Sequence, residues 1–257
     1  MNSDLESANG SERRSPLRFY AGGLFMIFYW PAAAIFLLLS DLILRPFYPK
    51  RMHRKLGQTM LGRLMGGFIG TLEWMGIIEI SDESIRNQED RPGPLIIACN
   101  HPAMWDALLV MRRYLHVSCI MKTELLSNPL LGGGARFAGF LPNEPKIKMM
   151  RKAIERLNSG GRLLYFPEGT RTRAESGAVN VFRPGLAMLA RESGAMVVPV
   201  FISTDSDYLG KGWPIWKRPE LPIRISIRSG ETVAMAPEEG VREFTARLEG
   251  IFRNELA

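Results

Sequence analysis

Cysteine and histidine are scarce in this chain. Two cysteines, Cys99 and Cys119, and three histidines, His53, His101 and His116, occur in 257 residues. They form no Cys/His cluster of the kind that holds zinc, so no metal centre is expected. Both cysteines lie in apolar, strand-like runs, which points to buried free thiols rather than a disulfide. Acidic residues are missing between Asp41 and Glu73, and charge of either sign is missing from Phe19 to Ser40. No internal repeat or low-complexity tract is present, which excludes a repeat array.

What is present allows a full core, since 46% of the residues are hydrophobic. The net charge of +7 calls for an acidic partner, and nucleic acid, anionic lipid and phosphorylated substrates all qualify. The basic residues decide among these by position. Arg13, Arg14 and Arg18 precede the uncharged run, and Arg45, Lys50, Arg51, Arg54, Lys55 and Arg63 follow it. A membrane surface explains that placement without nucleic acid. The run itself is about as long as a membrane-spanning helix. Ala32-Ala33-Ala34 superficially resembles a signal-peptidase site, but the apolar run continues past it. Two readings remain: a single span with the remainder on the cytoplasmic side of the plasma membrane, or a helix kinked at Pro31 and embedded in one leaflet. The chain divides into a disordered lead-in (1–18), a membrane-anchoring helical segment (19–75) and an α/β domain (76–257).

The α/β reading rests on alternation of strands and helices. Residues 94–99, 116–122, 162–166 and 195–202 are short apolar strands. Residues 223–228 alternate as a half-exposed strand, and 76–80 form a first one. Helices are expected over 52–75, 107–115, 148–158, 182–193 and 238–255, and loops at Asn128-Pro129, Gly132–Gly134 and 81–93. The resulting expectation is a mostly parallel or mixed central sheet flanked by helices, behind a membrane-associated N-terminal segment.

Two blocks carry chemistry. In Asn100-His101-Pro102-Ala103-Met104-Trp105-Asp106 a histidine stands where a strand hands over to a helix. Residues five apart in one helix diverge, at about 100° per residue. His101 and Asp106 therefore meet only if His101 precedes the helix and Asp106 opens it, which Pro102 and the helix dipole both favour. A carboxylate on one ring nitrogen leaves the other free as a general base. No serine or cysteine nucleophile stands beside it, so the nucleophile belongs to the substrate, most simply as a hydroxyl. The second block, Phe166-Pro-Glu-Gly-Thr-Arg171, also follows a strand. Its turn N–H groups and Arg171 suit an anion, Gly169 permits close approach, and Glu168 suits a polar head group.

With these blocks in order, the chain resembles the glycerolipid acyltransferases typified by bacterial lysophosphatidate acyltransferase. Asn100, His101 and Asp106 match the family's Asn-His-x-x-x-x-Asp. Phe166–Arg171 match its Phe-Pro-Glu-Gly-Thr-Arg, and Val198-Pro199-Val200 its Val-Pro-Val. Lys122-Thr-Glu-Leu125 and Phe182-Arg-Pro-Gly185 resemble two flanking elements. The resemblance implies a membrane-associated O-acyltransferase of phospholipid biosynthesis. It would move a fatty acyl group from acyl carrier protein or coenzyme A to a lysolipid hydroxyl. His101 and Asp106 would be the general-base pair. Lys122, Glu168, Gly169, Thr170 and Arg171 would bind substrate, with no bound cofactor and no metal. Lysophosphatidate, giving phosphatidate, is the family's usual acceptor. A different or specialised lipid acceptor, or water in a thioesterase or lipid hydrolase on the same scaffold, are the alternatives. One block departs: Gly139-Phe-Leu-Pro-Asn-Glu-Pro145 lacks the arginine that the family associates with the acceptor's phosphate.

Overall fold

The long uncharged run folds as one face of a helical hairpin. A computed structural model describes residues 2–82, 93–214 and 216–257. Helix α1 (Asn2–Leu44) runs through both Pro16 and Pro31, and α2 (Lys50–Trp74) returns alongside it. The lead-in expected to be disordered is thus helical from Asn2, in a stretch without proline before Pro16. Gly22, Ala33, Leu37 and Asp41 form a buried stripe on α1, extended by half-buried Phe19, Met26, Trp30 and Leu44. These positions are three or four apart, so one side of the helix faces inward along its length. Ile27, Phe28, Ile35, Phe36, Leu39 and Leu42 remain exposed. At the turn, Asp41 accepts a hydrogen bond from Arg45 at 2.7 Å and lies 3.2 Å from His53 Nε2.

Helix α2 buries Leu61, Met65, Phe68, Ile69 and Leu72 in the same core as the strands. The expected boundary near residue 76 therefore divides elements that pack together. Gly57 and Gly62 allow that approach. A Cβ on Gly57 would lie 2.5 Å from the Phe137 carbonyl oxygen, and one on Gly62 2.6 Å from Leu115 Cδ2.

The strands are β1 (Ile78–Ser81), β2 (Leu95–Cys99), β3 (Val117–Met121), β4 (Leu141–Pro142), β5 (Arg162–Tyr165), β6 (Met196–Thr204) and β7 (Ile223–Ser229). They form one sheet in the order β1-β7-β6-β2-β5-β3-β4. The five strands from β6 to β4 are mutually parallel; β7 is antiparallel to β6 and carries β1 parallel to itself. β2 is central and buried at all five residues, which explains its unbroken apolar sequence. Leu95, Ile97 and Cys99 face the core under α2 and α3 (Asp106–Met111), while Ile96 and Ala98 face the core under α6 (Lys146–Asn158), α7 (Gly185–Ser193) and α8 (Val241–Leu256).

Two local expectations change. Gly132–Gly134 lie within helix α5 (Pro129–Phe137), which follows the short α4 (Thr123–Ser127), and not in a loop. The reason is packing against α1: a Cβ on Gly134 would lie 2.5 Å from Leu37 Cδ1. Helix α3 opens at Asp106, as the spacing required, but Pro102 lies in the preceding bend rather than at the helix start, and α3 ends at Met111 rather than 115. Of the expected 81–93 loop, residues 83–92 lie outside the described residues. The parallel arrangement brings the carboxyl ends of β2, β3, β4, β5 and β6 to one edge, where functional crevices form in such sheets.

The α2 glycines differ sharply in what surrounds them. Gly57→Val drives a side chain into backbone and should destabilise the protein by about 1–3 kcal/mol. Gly70 has nothing within 4 Å of its missing Cβ, so Gly70→Ala should stabilise α2 by about 0.5–1 kcal/mol. Thermal unfolding of the two variants in one detergent checks the opposite signs.

Candidate active site

The site begins where β2 leaves the sheet. Asn100 uses its side chain as an extra ladder step: Nδ2 donates to the Ile202 carbonyl at 2.7 Å, and Oδ1 accepts from Ile202 N–H at 2.8 Å. That clamp fixes the backbone just before His101. The His101 N–H donates to Glu168 Oε1 at 2.9 Å, and its carbonyl accepts from Thr172 N–H at 2.8 Å. The imidazole stacks on Phe166, with ring centroids 4.3 Å apart and planes at 25°.

His101 Nδ1 lies 2.8 Å from Asp106 Oδ2, which also accepts from the Ala103 N–H at 2.8 Å. Asp106 is fully buried, whereas the His101 side chain is 21% exposed. An ionised carboxylate has no hydrogen to give, so Nδ1–H donates and Nε2 is left as the proton acceptor. Burial is the largest influence on Asp106 and lifts its pKa to about 6. The hydrogen bond and charge of His101 and the Ala103 N–H oppose that rise, and the charge of Glu168 adds to it. Burial also pushes the Cys99 thiol far up and the Cys119 thiol to about 12. Neither supplies a thiolate nucleophile at neutral pH.

The second block is turned mostly toward the scaffold. Glu168 is buried, and its carboxylate is occupied on both oxygens. Oε1 accepts from His101 N–H and from Thr172 Oγ1 at 2.8 Å, and Oε2 accepts from Asn180 N–H at 2.9 Å. Expected as a head-group contact, Glu168 instead positions the His101 backbone. Arg171 Nη1 donates to the carbonyls of Leu209 and Gly210 at 2.8 and 2.9 Å, tying this turn to the connection between β6 and β7. Gly169 has φ +68° and lies under Arg183: a Cβ there would be 2.9 Å from Arg183 Nε. Both the left-handed backbone and the close approach call for glycine. Thr170 is half-buried on the same turn. Lys122 is exposed at the end of β3, on the far side of β5 from β2.

Sequence reasoning missed Asn180. It bridges the turn by donating from Nδ2 to the Arg171 carbonyl at 3.1 Å and accepting from Arg173 N–H at 3.2 Å. Nothing in local periodicity marks such a residue. Arg183 was visible only as part of Phe182-Arg-Pro-Gly185. Asn143 lies within the segment where an arginine was expected, and its Oδ1 accepts from Thr123 N–H and Oγ1 at 3.1 and 3.2 Å. It fastens the start of α4 at the site edge. Among the described residues no group of three or more His, Cys, Asp or Glu side chains is placed to hold a metal.

Residues 82–203 match the family model described as acyltransferase. A chloroplastic 1-acyl-sn-glycerol-3-phosphate acyltransferase of Arabidopsis thaliana is 24% identical over 194 residues, covering 69% of this chain and 50% of that protein. Two Pseudomonas aeruginosa proteins also match. A 1-acyl-sn-glycerol-3-phosphate acyltransferase is 26% identical over 136 residues (50% of this chain, 52% of that protein). A lyso-ornithine lipid O-acyltransferase is 33% identical over 119 residues (44% and 45%). The chain spans about half the length of the curated relatives it matches. In fold it is similar to the crystal structure of the 1-acyl-sn-glycerophosphate acyltransferase from Thermotoga maritima, with a TM-score of 0.73, 19% identity and 96% of each chain covered.

Glu168→Gln places an amide NH2 against an N–H or O–H donor that the carboxylate now satisfies. It should destabilise the protein by about 1–3 kcal/mol and lower turnover by displacing His101. Urea unfolding and initial rates on the same preparation check both effects.

Proposed function

We propose, from the match of residues 82–203 to the acyltransferase family model, that the chain is a membrane-associated O-acyltransferase acting on a lysolipid hydroxyl. The His101–Asp106 pair carries this reading. It offers a held imidazole with one free nitrogen, and the neighbouring cysteine is suppressed as a nucleophile. The acceptor hydroxyl gives its proton to Nε2 while its oxygen attacks the carbonyl of an acyl thioester, borne by acyl carrier protein or coenzyme A. The tetrahedral oxyanion collapses, the C–S bond breaks, and the imidazolium returns the proton to the leaving thiol. Asp106 keeps the ring in the productive tautomer and favours the imidazolium. The step calls for no bound cofactor.

Lysophosphatidate is the acceptor that the named activities of several relatives support. A second reading has its own observation: Asn143 lies in the segment expected to bear the phosphate-binding arginine and is engaged in capping α4. A lysolipid without a phosphate monoester fits that change, and one relative is named for such an acceptor.

Membrane association is supported by α1. Its segment Pro16–Leu44 is long and apolar enough to cross a membrane, yet only 17% of its most apolar window is buried. Because its inner stripe packs along α2 and α5, the helix suits embedding in one leaflet better than crossing alone. Arg45, Lys50, Arg51 and Lys55 at the hairpin turn suit anionic headgroups, with the α/β domain on the cytoplasmic side.

The test is thiol release from acyl thioesters, screened against several lysolipids. Release should require a lysolipid; acceptor-independent release would favour a thioesterase. His101→Ala should lose about 100-fold to 10,000-fold in kcat, and full activity in that variant would sink the assigned base.

The pH dependence follows from Asp106. Activity should fall as pH drops through about 6, where the carboxylate takes up a proton. Stability should respond in the opposite sense. A carboxyl whose folded pKa is raised binds its proton more tightly in the folded state, so its burial penalty applies above about pH 6 and is relieved below it. Asp106→Asn should therefore melt no lower than the parent at pH 8 while losing most of its activity. Paired melting and rate profiles over pH 5–8 check the two slopes.

A further inference from the structure

The connection between β6 and β7, residues 205–222, is tied inward to the site and, among its described residues, exposes one large apolar side chain, Trp216. Its inner side is fixed to the site. Met104 N–H donates to the Leu209 carbonyl at 3.2 Å, and Arg171 binds the carbonyls of Leu209 and Gly210. The Tyr208 ring stands between Trp105, 5.6 Å away beside Asp106, and Phe19 of α1, 6.2 Å away. The tip is folded in its own right. Trp213 Nε1 donates to the Lys217 carbonyl at 3.0 Å, and Lys217 N–H donates to the Pro214 carbonyl at 2.9 Å. Lys217 Nζ lies over the Trp213 ring at 4.3 Å. On this tip Trp216 is 81% exposed.

Its neighbours on that edge share the character. The connection leaves the carboxyl end of β6, so β7 and its parallel partner β1 both begin at the His101 edge. The end of α2 leads into β1 there, and Trp74 is 86% exposed. Arg18 lies against Gly76, which brings exposed Leu17 and Tyr20 of α1 to the same place. Met104, from the His101 loop itself, is also exposed. Along α1 the exposed row continues from Leu17 and Tyr20 through Leu24, Ile27 and Phe28. The tip, residues 210–219, carries Lys211, Lys217 and Arg218, while Asp205, Asp207 and Glu220 stand at the two ends of the connection. Tryptophan with flanking basic residues is the composition of a membrane–water interface.

We propose that the tip of this connection is a second membrane contact, seating Trp216 in the lipid headgroup layer at the mouth of the site, so that the acceptor passes to His101 sideways from the bilayer. This rests on the membrane reading of α1 and adds a separate attachment point. It is tested with the full chain on vesicles of phosphatidylcholine and phosphatidylglycerol bearing brominated acyl chains. Tryptophan quenching should be larger for the parent than for Trp216→Phe, and vesicles should shield Trp216 from iodide. Trp216→Ser should raise KM several-fold for a long-chain acceptor presented in vesicles, with kcat unchanged and KM for a dispersed short-chain acceptor unchanged. Co-sedimentation with vesicles reports α1 separately. Sedimentation without shielding of Trp216 overturns this proposal alone, whereas absence of sedimentation overturns the membrane reading itself. Shielding by acyl carrier protein in place of vesicles would assign the tip to a protein and also overturn it. The quenching difference decides the matter even if no lysolipid is acylated.

Discussion

The rest of the site depends on a carboxylate buried from solvent. Asp106 is fully buried, and one of its oxygens receives both His101 Nδ1 and the Ala103 N–H. A charge so placed is tolerable only while its donors stay put, because a buried carboxylate that loses them is left uncompensated. Each donor is fixed from outside the loop. Asn100 ties the start of the loop to β6, and Glu168 holds the His101 backbone from the β5 turn. Asn180 holds Glu168, and Arg171 links the turn to the connection after β6. Three consecutive strand ends of a parallel sheet thus converge on one carboxylate. A mostly parallel sheet is what makes that convergence possible, since only there do β6, β2 and β5 end on the same edge.

The same chain meets two other demands at α1. One side packs on a protein core, and the other is apolar and exposed. Helical periodicity separates the two, and glycines set the distance. Gly134 on α5 and Gly57 on α2 lie where a side chain would hold the helices or their neighbours apart. The buried Asp41, with Arg45 and His53, closes the hairpin at the end where basic residues gather. The polar end and the apolar face are therefore products of one packing arrangement.

Much of this was legible in the sequence, for identifiable reasons. β2 could be read because a strand covered on both faces has no polar alternation to obscure it. The His101–Asp106 contact followed from spacing, since residues five apart meet only across a helix start. Gly132–Gly134 misled because glycine usually marks loops, whereas here the absent side chains serve a helix contact that no local pattern reveals. Asn180 was invisible for a related reason: its partners are Arg171, Arg173 and Glu168, and only the folded turn brings them together. Residue type was a good guide to which positions matter and a poorer guide to which way they face.

Glu168 and Arg171 make that last point consequential for specificity. Both belong to the block that suggested a binding surface for the acceptor. Yet the Glu168 carboxylate is filled by protein donors, and Arg171 directs Nη1 to two carbonyls. A group that holds the scaffold through these contacts has little freedom to discriminate one head group from another. Lys122 and Arg183 on the same edge are exposed and less committed to the scaffold. In Gly139–Pro145 no arginine is present, and Asn143 instead accepts from the N–H that opens α4. His101 and the groups that hold it are thus separate from the exposed side chains of the same strand edge, so one set can stay fixed while the other varies.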